Sequence, residues 1–350
     1  MSGRPIYLTE YLPKSELVVE EHYLKMSRFP VIDAHTHFGS LVMGEDYDRQ
    51  YDTARAVEEM KCYGVKHVIN LDGMWGVELD RMLKKIHPYE DFFTIFGTVD
   101  VSRLDDTDFE HYVVKTIKES VNKGVKGLKF WKNISLILKD KKGRYIPVDD
   151  NRLKVIWETA AECKLPVLIH IADPVAFFKP INKYNERYEE LQEHPDWSFC
   201  GPGLYSFEEL MKMQENLISS NPDTTFIVAH VGSYSENLSC VAKWLDAYPN
   251  MYIDFAERIS ELGRQPYTSR KFFIRYQDRI LFGTDATPFN INYANNYRFL
   301  ETWDEYFDYS NRERPPQGRW KIYGIGLEDD VLEKIYYKNC ERIILGIRES

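Results

Sequence analysis

This sequence predicts an α/β fold of the (β/α)₈ TIM-barrel type, and three observations carry that reading. Eight strand-like runs, rich in β-branched residues and bounded by turn residues, recur along almost the whole length. Their apolarity is nearly continuous rather than alternating, which marks strands buried on both faces, as in a parallel sheet. Helical patterns lie between them, so the chain reads as repeated βα units.

The runs come in order: "PVIDAHTHFG" (30–39), "VKHVINLDGM" (65–74), "FFTIFGTVDV" from Phe92, and "VKGLKFWKN" (125–133). They continue with "PVLIHIADP" (166–174), "TTFIVAHVGS" (224–233), "MYIDFAER" (251–258) and "RILFGTDATP" (279–288). Among the helical stretches, "YDTARAVEEMKCYG" has apolar residues three and four apart and ends at Gly64, a C-cap candidate. The stretch 149–164 opens on Asp149 and Asp150, both capping candidates, and carries an amphipathic stripe. Residues 206–220, 238–249 and 327–346 repeat the theme. A doubly wound open sheet is the competing architecture, but no GxGxxG follows any strand. Without internal repeats or low-complexity linkers, residues 1–350 are expected to form a single domain, with 1–29 as an N-terminal extension. Long aromatic stretches follow strand five (175–208) and strand eight (289–326). Both leave the end of the barrel where active sites are built, and so read as lids or substrate walls, with peripheral packing or a subunit interface as the alternative.

A net charge of −10 over 350 residues argues against nucleic acid or an anionic membrane as partner, since both require a basic face. No apolar run approaches the ~20 residues of a spanning helix, and the N-terminus shows no secretion signal. Five cysteines with no CxxC pair suggest free thiols and a cytoplasmic protein. The expected partner is a small-molecule substrate, with a homo-oligomer as a further option.

Four of the nine histidines sit at the C-terminal ends of predicted strands. His35 and His37 end strand one, two residues apart and therefore on one face. His170 ends strand five, His230 ends strand six, and Asp285 closes strand eight. Any one of these alone reads as a hydrogen-bonded structural residue or a turn cap. Together they share one barrel mouth and offer one carboxylate and several imidazoles. That set suits a divalent metal, Zn²⁺ first and Mn²⁺ or Fe²⁺ next. Lys129 near the end of strand four and Arg258 after strand seven are candidate substrate-binding cations, each with a structural ion pair as the alternative. Trp131 and Asn133 are further candidates for the pocket wall, as are Asp173 and Trp75; Arg264 follows Arg258 on the chain.

"DAHTHFG", the strand-five histidine, "AHVG" and "GTD" resemble the amidohydrolase superfamily, and more narrowly its amidohydrolase-2 branch of metal-dependent hydrolases and decarboxylases. The resemblance runs from about residue 30 to the C-terminus. It implies that His35, His37, His170 and Asp285 ligate the metal and that His230 is a catalytic group beside it. In some superfamily members a carbamylated lysine at the Lys129 position bridges two metals; the branch resembled here commonly holds one ion.

The activity these residues suit best is hydrolysis of a lactone, ester or amide through a metal-activated water, with Asp285 as proton carrier and His230 bonding the water or the scissile carbonyl. Non-oxidative decarboxylation of an aromatic or enoic acid is the alternative from the same constellation. A catalytically silent ligand-binding barrel is the third reading.

Overall fold

The computed structural model describes residues 4–347. Eight parallel strands form one sheet in the order β1 to β8. They are β1 (Val31–Thr36), β2 (Val65–Met74), β3 (Phe93–Gly97), β4 (Gly127–Phe130), β5 (Val167–Ile169), β6 (Phe226–Val228), β7 (Met251–Asp254) and β8 (Ile280–Leu281). The ring closes between its ends. Ala34 N–H donates to the Phe282 carbonyl at 2.9 Å, Asp285 N–H to that of His35 at 2.8 Å, and His37 N–H to that of Ala286 at 2.8 Å. The fold is a (β/α)₈ barrel.

Helices return the chain between strands, and their starts follow local chemistry. Thr53–Cys62 is capped by the Asp52 carboxylate on the N–H groups of Ala54 and Arg55. Phe207–Ser220 starts on a capping box of Ser206 and Glu209. Asp150, one of the two expected caps, bonds Arg152 N–H at 2.9 Å ahead of Lys154–Glu162. Strands β5, β6 and β8 are shorter than the apolar runs that predict them. The C-terminal parts of those runs leave the ladder and form the barrel mouth.

The core has two layers. Alternate strand residues such as Ile32, Ile69, Leu168, Ile227 and Leu281 fill the barrel interior, where Cys340 and Ile344 of the C-terminal helix join them. The other strand faces pack against the surrounding helices: Phe130 on Trp157, for example, with ring centroids 5.0 Å apart. All five cysteines are free. Among the described residues, no helix is long and apolar enough to cross a membrane.

Candidate metal centre and cavity

The site begins with a bulge in β1. Asp33 pairs with Val68 and Thr36 with Asn70, three steps on β1 against two on β2. The Asp33 carboxylate fastens this extra residue by accepting from the N–H groups of His35 at 3.0 Å and Thr284 at 3.1 Å. The bulge resets the phase of the strand: Ile32 and Ala34 face the interior below it, and His35 and His37 face the mouth above it. Two glycines make the room. A Cβ on Gly283 would lie 2.9 Å from the His35 Cβ, and one on Gly39 would lie 2.1 Å from the Met74 side chain.

His35, His37 and Asp285 converge. Asp285 Oδ1 lies 3.0 Å from His37 Nε2 and 3.7 Å from His35 Nε2. Donor atoms of the three residues all fall within 4.8 Å of one another. His35 Nδ1 donates to Asp254 Oδ2 at 2.8 Å. A carboxylate only accepts, so the proton sits on Nδ1 and the Nε2 lone pair faces Asp285. Burial alone would raise the Asp254 carboxyl, but the His35 ring and its hydrogen bond hold it below the usual range. Asp254 also accepts the backbone N–H of His230 and of Ala256, tying three positions of the site together. Asp254→Asn, which would turn an N–H toward one of these donors, is expected to weaken metal affinity about 10–100-fold. Isothermal titration with Zn²⁺ or Mn²⁺ checks this.

His170 stands at the same mouth but outside that trio. Its ring meets His230 edge-on at 4.4 Å between centroids. Its Nε2 is buried, lies 3.3 Å from Asp173 Oδ1, and meets no partner in hydrogen-bond geometry. Burial keeps this ring neutral, with a pKa lowered to about 4. His37 Nδ1 is likewise buried and unpartnered, with Asp72 Oδ2 at 3.9 Å. The open nitrogens of His170 and His37 beside an ionised carboxylate are the donor set a divalent transition metal takes, so the residues fit such an ion.

His230 is presented by unusual backbone. His230, Val231, Gly232 and Ser233 all have positive φ, between 58° and 63°, a full left-handed turn where the sequence predicts strand. For non-glycine residues this costs roughly 1–2 kcal/mol each, so the turn is held by its surroundings. Besides Asp254, Gln214 Nε2 donates to the Gly232 carbonyl at 3.1 Å. His230 Nδ1 donates to the Ala256 carbonyl at 2.8 Å. That bond fixes the tautomer and leaves the Nε2 lone pair free. Burial, then His170 and Arg258, hold the ring well below the ordinary histidine range.

Lys129 is fully buried on β4. Its Nζ lies 3.4 Å from His35 Nε2 and 4.5 Å from the Trp131 ring centroid. Burial lowers its pKa to about 8. It makes no ion pair within 4.0 Å among the described residues, so the salt-bridge alternative for it does not occur.

Above these residues opens a cavity of about 1180 Å³. Trp131 and Arg258 line it, as do Asp173 and Lys132, which form a short ion pair. Both long segments contribute walls, with Phe177 and Trp197 from one and Phe289 and Tyr309 from the other. Asn133 starts the short helix Asn133–Leu136 and does not line the cavity, nor does Trp75, which precedes Gly76–Ile86. Arg258 is only 7% exposed, and no carboxylate lies within ion-pair distance of it among the described residues. Its Nη1 donates to the carbonyl of Glu257 at 2.8 Å. Arg264 is structural: it pairs with Glu186 at 2.9 Å and lies 4.0 Å from the Trp320 ring centroid.

Sequence reasoning missed Asp254, Asp72, Glu257 and Arg187. For Asp254 and Asp72 a signal existed, a lone carboxylate within an apolar strand. Arg187 had none. It lies buried in the segment after β5, bonds Glu190 Oε2 at 2.7 Å, and makes a short contact with Glu261 of the turn after β7. Arg187→Met would strand two buried carboxylates. A loss of about 3–5 kcal/mol is expected by urea denaturation.

The profile of the amidohydrolase family matches residues 32–344. The chain belongs to the amidohydrolase-2 family. That family is metal-dependent, and its members are enzymes. No curated protein matches this amidohydrolase. Solved structures share its fold at low identity. A dihydroxybenzoic acid decarboxylase from a Polaromonas species, with bound manganese and the inhibitor 2-nitroresorcinol, is 14% identical with a TM-score of 0.59, covering 92% of this chain and 98% of that one. A 4-oxalomesaconate hydratase from Rhodopseudomonas palustris is 12% identical with a TM-score of 0.52, covering 90% and 95%. A protein described as a probable 2-pyrone-4,6-dicarboxylic acid hydrolase from Acinetobacter baumannii, with citric acid bound, is 11% identical with a TM-score of 0.51, covering 91% and 100%.

Proposed function

We propose that this amidohydrolase is a metal-dependent hydrolase of a small, carboxylate-bearing lactone, ester or amide. One observation carries the reading: two imidazoles from β1 and an aspartate from the far end of the chain place donor atoms within 4.8 Å of one another. His35, His37 and Asp285 would hold one divalent ion, Zn²⁺ first, with the open Nε2 of His170 as the fourth donor. When bound, such an ion lowers the pKa of a coordinated water to about 7 and polarises a substrate oxygen.

The chain's own residues supply the rest. His230, with its Nδ1 proton committed to Ala256, offers only a lone pair at Nε2. It therefore accepts a hydrogen bond from the incoming water and does not donate one to the carbonyl. Asp285, ionised and beside both histidines, takes the proton and returns it to the leaving group. Arg258, with no carboxylate partner among the described residues, receives the substrate's anionic end through its planar fork. Trp131, whose ring tilts over His37 at 5.1 Å, gives a flat substrate a face.

That same face and counter-ion support a second reading, loss of CO₂ from an aromatic or enoic acid, and the manganese-bound decarboxylase among the structural neighbours supports it too. Protein loaded with Zn²⁺ or Mn²⁺ separates the two. Proton release from carboxylated lactones, esters and amides without CO₂ release is the expected result. CO₂ release from hydroxylated aromatic acids, with no hydrolysis, would replace the first reading by the second.

A further inference from the structure

Glu257 and Arg258 follow β7, and both line the cavity. Along a strand, consecutive side chains face opposite sides. Glu257 instead adopts φ of +54°, and this left-handed residue lets two neighbours share one wall. A glutamate in that conformation costs roughly 1–2 kcal/mol, so its surroundings hold it there.

The two side chains carry opposite charges and do not pair. Gln317 Nε2 donates to Glu257 Oε2 at 3.2 Å, and Gln317 is itself fixed by its backbone N–H on Tyr309 Oη at 2.9 Å. Arg258 Nη1 turns to the main-chain carbonyl of Glu257 at 2.8 Å. Arg187, the other guanidinium near Glu257, is committed to Glu190 and Glu261. Among the described residues, no cation lies within ion-pair distance of the Glu257 carboxylate, which is exposed to the cavity. Desolvation by the enclosing wall, then the like charges of Asp285 and Glu261, raise its pKa to about 7, and Arg258 and Arg187 oppose them. Above that pH Glu257 is a carboxylate without a counter-ion.

An unpaired carboxylate beside an unpaired guanidinium is complementary to a ligand that carries both signs of charge. Once a substrate carboxylate occupies Arg258, that guanidinium no longer offsets Glu257. Resting on the reading of Arg258 given above, we infer that Glu257 is a specificity-determining residue that binds an ammonium group of the substrate. The substrate is then a lactone, ester or amide that bears an amine as well as a carboxylate. Glu257 accepts one amide N–H, so a carboxylate's remaining acceptor positions are open to an ammonium, which brings three donors. A hydroxyl would fill one such position and leave the charge without a partner.

The test reads binding and does not depend on turnover. Isothermal titration of the Zn²⁺-loaded full chain at about pH 8, where Glu257 is ionised, uses meta- and para-(aminomethyl)benzoate, each beside its hydroxymethyl and methyl counterparts. At least one ammonium probe should bind roughly 10–100-fold tighter than both of its counterparts, the margin of a charge-assisted hydrogen bond. Glu257→Gln keeps an acceptor for Gln317 but no charge. It should lose that preference and bind the methyl probes as wild type does. Equal binding of ammonium and methyl probes by wild type overturns the inference. So does a hydroxymethyl probe that binds as tightly as the ammonium one, or a preference that survives Glu257→Gln. Arg258→Met should weaken binding of the methyl probes. If no benzoate binds, or if Arg258→Met leaves the methyl probes unaffected, the carboxylate-bearing substrate proposed above falls and this inference with it. An ammonium preference that needs Glu257, in a protein that hydrolyses nothing, keeps this inference and removes only the hydrolase reading.

Discussion

Replacing Asp285 by asparagine is expected to lower kcat by about 10²–10⁴-fold while leaving the fold intact. Among the described residues, Asp285 is the single carboxylate that meets both β1 histidines, at 3.0 and 3.7 Å. Burial would favour its neutral form, but His35, His37 and His230 hold it well below the usual carboxylate range. It is ionised and ready to take a proton, which an amide cannot do. The backbone at Asp285 has φ of +65°, a conformation that asparagine tolerates as aspartate does. The variant should therefore melt within a few degrees of wild type, which separates lost chemistry from lost structure. Steady-state kinetics with metal in excess makes the measurement; near-wild-type turnover would remove Asp285 from the proton path.

Lys129→Met is expected to raise stability. Burial lowers the Lys129 pKa from 10.5 to about 8. Between those values the unfolded chain carries a proton that the folded chain has lost, so stability rises with pH through that window. Below about pH 8 the full cost is present. At about 1.4 kcal/mol per pH unit, it amounts to about 3 kcal/mol. Methionine matches the stem and carries no charge, so chelator-treated Lys129→Met should be more stable than wild type by up to about 3 kcal/mol at pH 7, with the difference shrinking toward pH 10. Denaturant titrations at several pH values test this. A destabilised variant at pH 7 would mean that the ammonium is compensated in the folded state.

The barrel was legible because its strands are buried on both faces and read as unbroken apolar runs. The two histidines of β1 were legible because their spacing matches the period of a strand. What surrounds them was not. Register in β1 depends on one extra residue between Asp33 and Thr36, and nothing local in "IDAHT" announces it. The run "AHVGS" continues the apolarity of β6, so periodicity extends the strand through it, whereas the chain turns left-handed to aim His230 at the mouth. Asp254 is a lone acid in "MYIDF", and its partner His35 lies 219 positions away. The bond between Glu257 and Gln317 joins a strand end to a long loop, and only the closed fold brings them together. Arg258 was legible as a cation near the mouth, but its lack of a carboxylate partner could be seen only with every neighbouring acid in place.

The claim on which the rest stands is that His35, His37 and Asp285 hold a divalent ion. Elemental analysis after equilibration with Zn²⁺ and exhaustive dialysis tests it most directly, on wild type and on His37→Ala. The account predicts about one equivalent in the wild type and a loss of most of it in the variant. Equal metal content in both proteins, or none in the wild type, would contradict it.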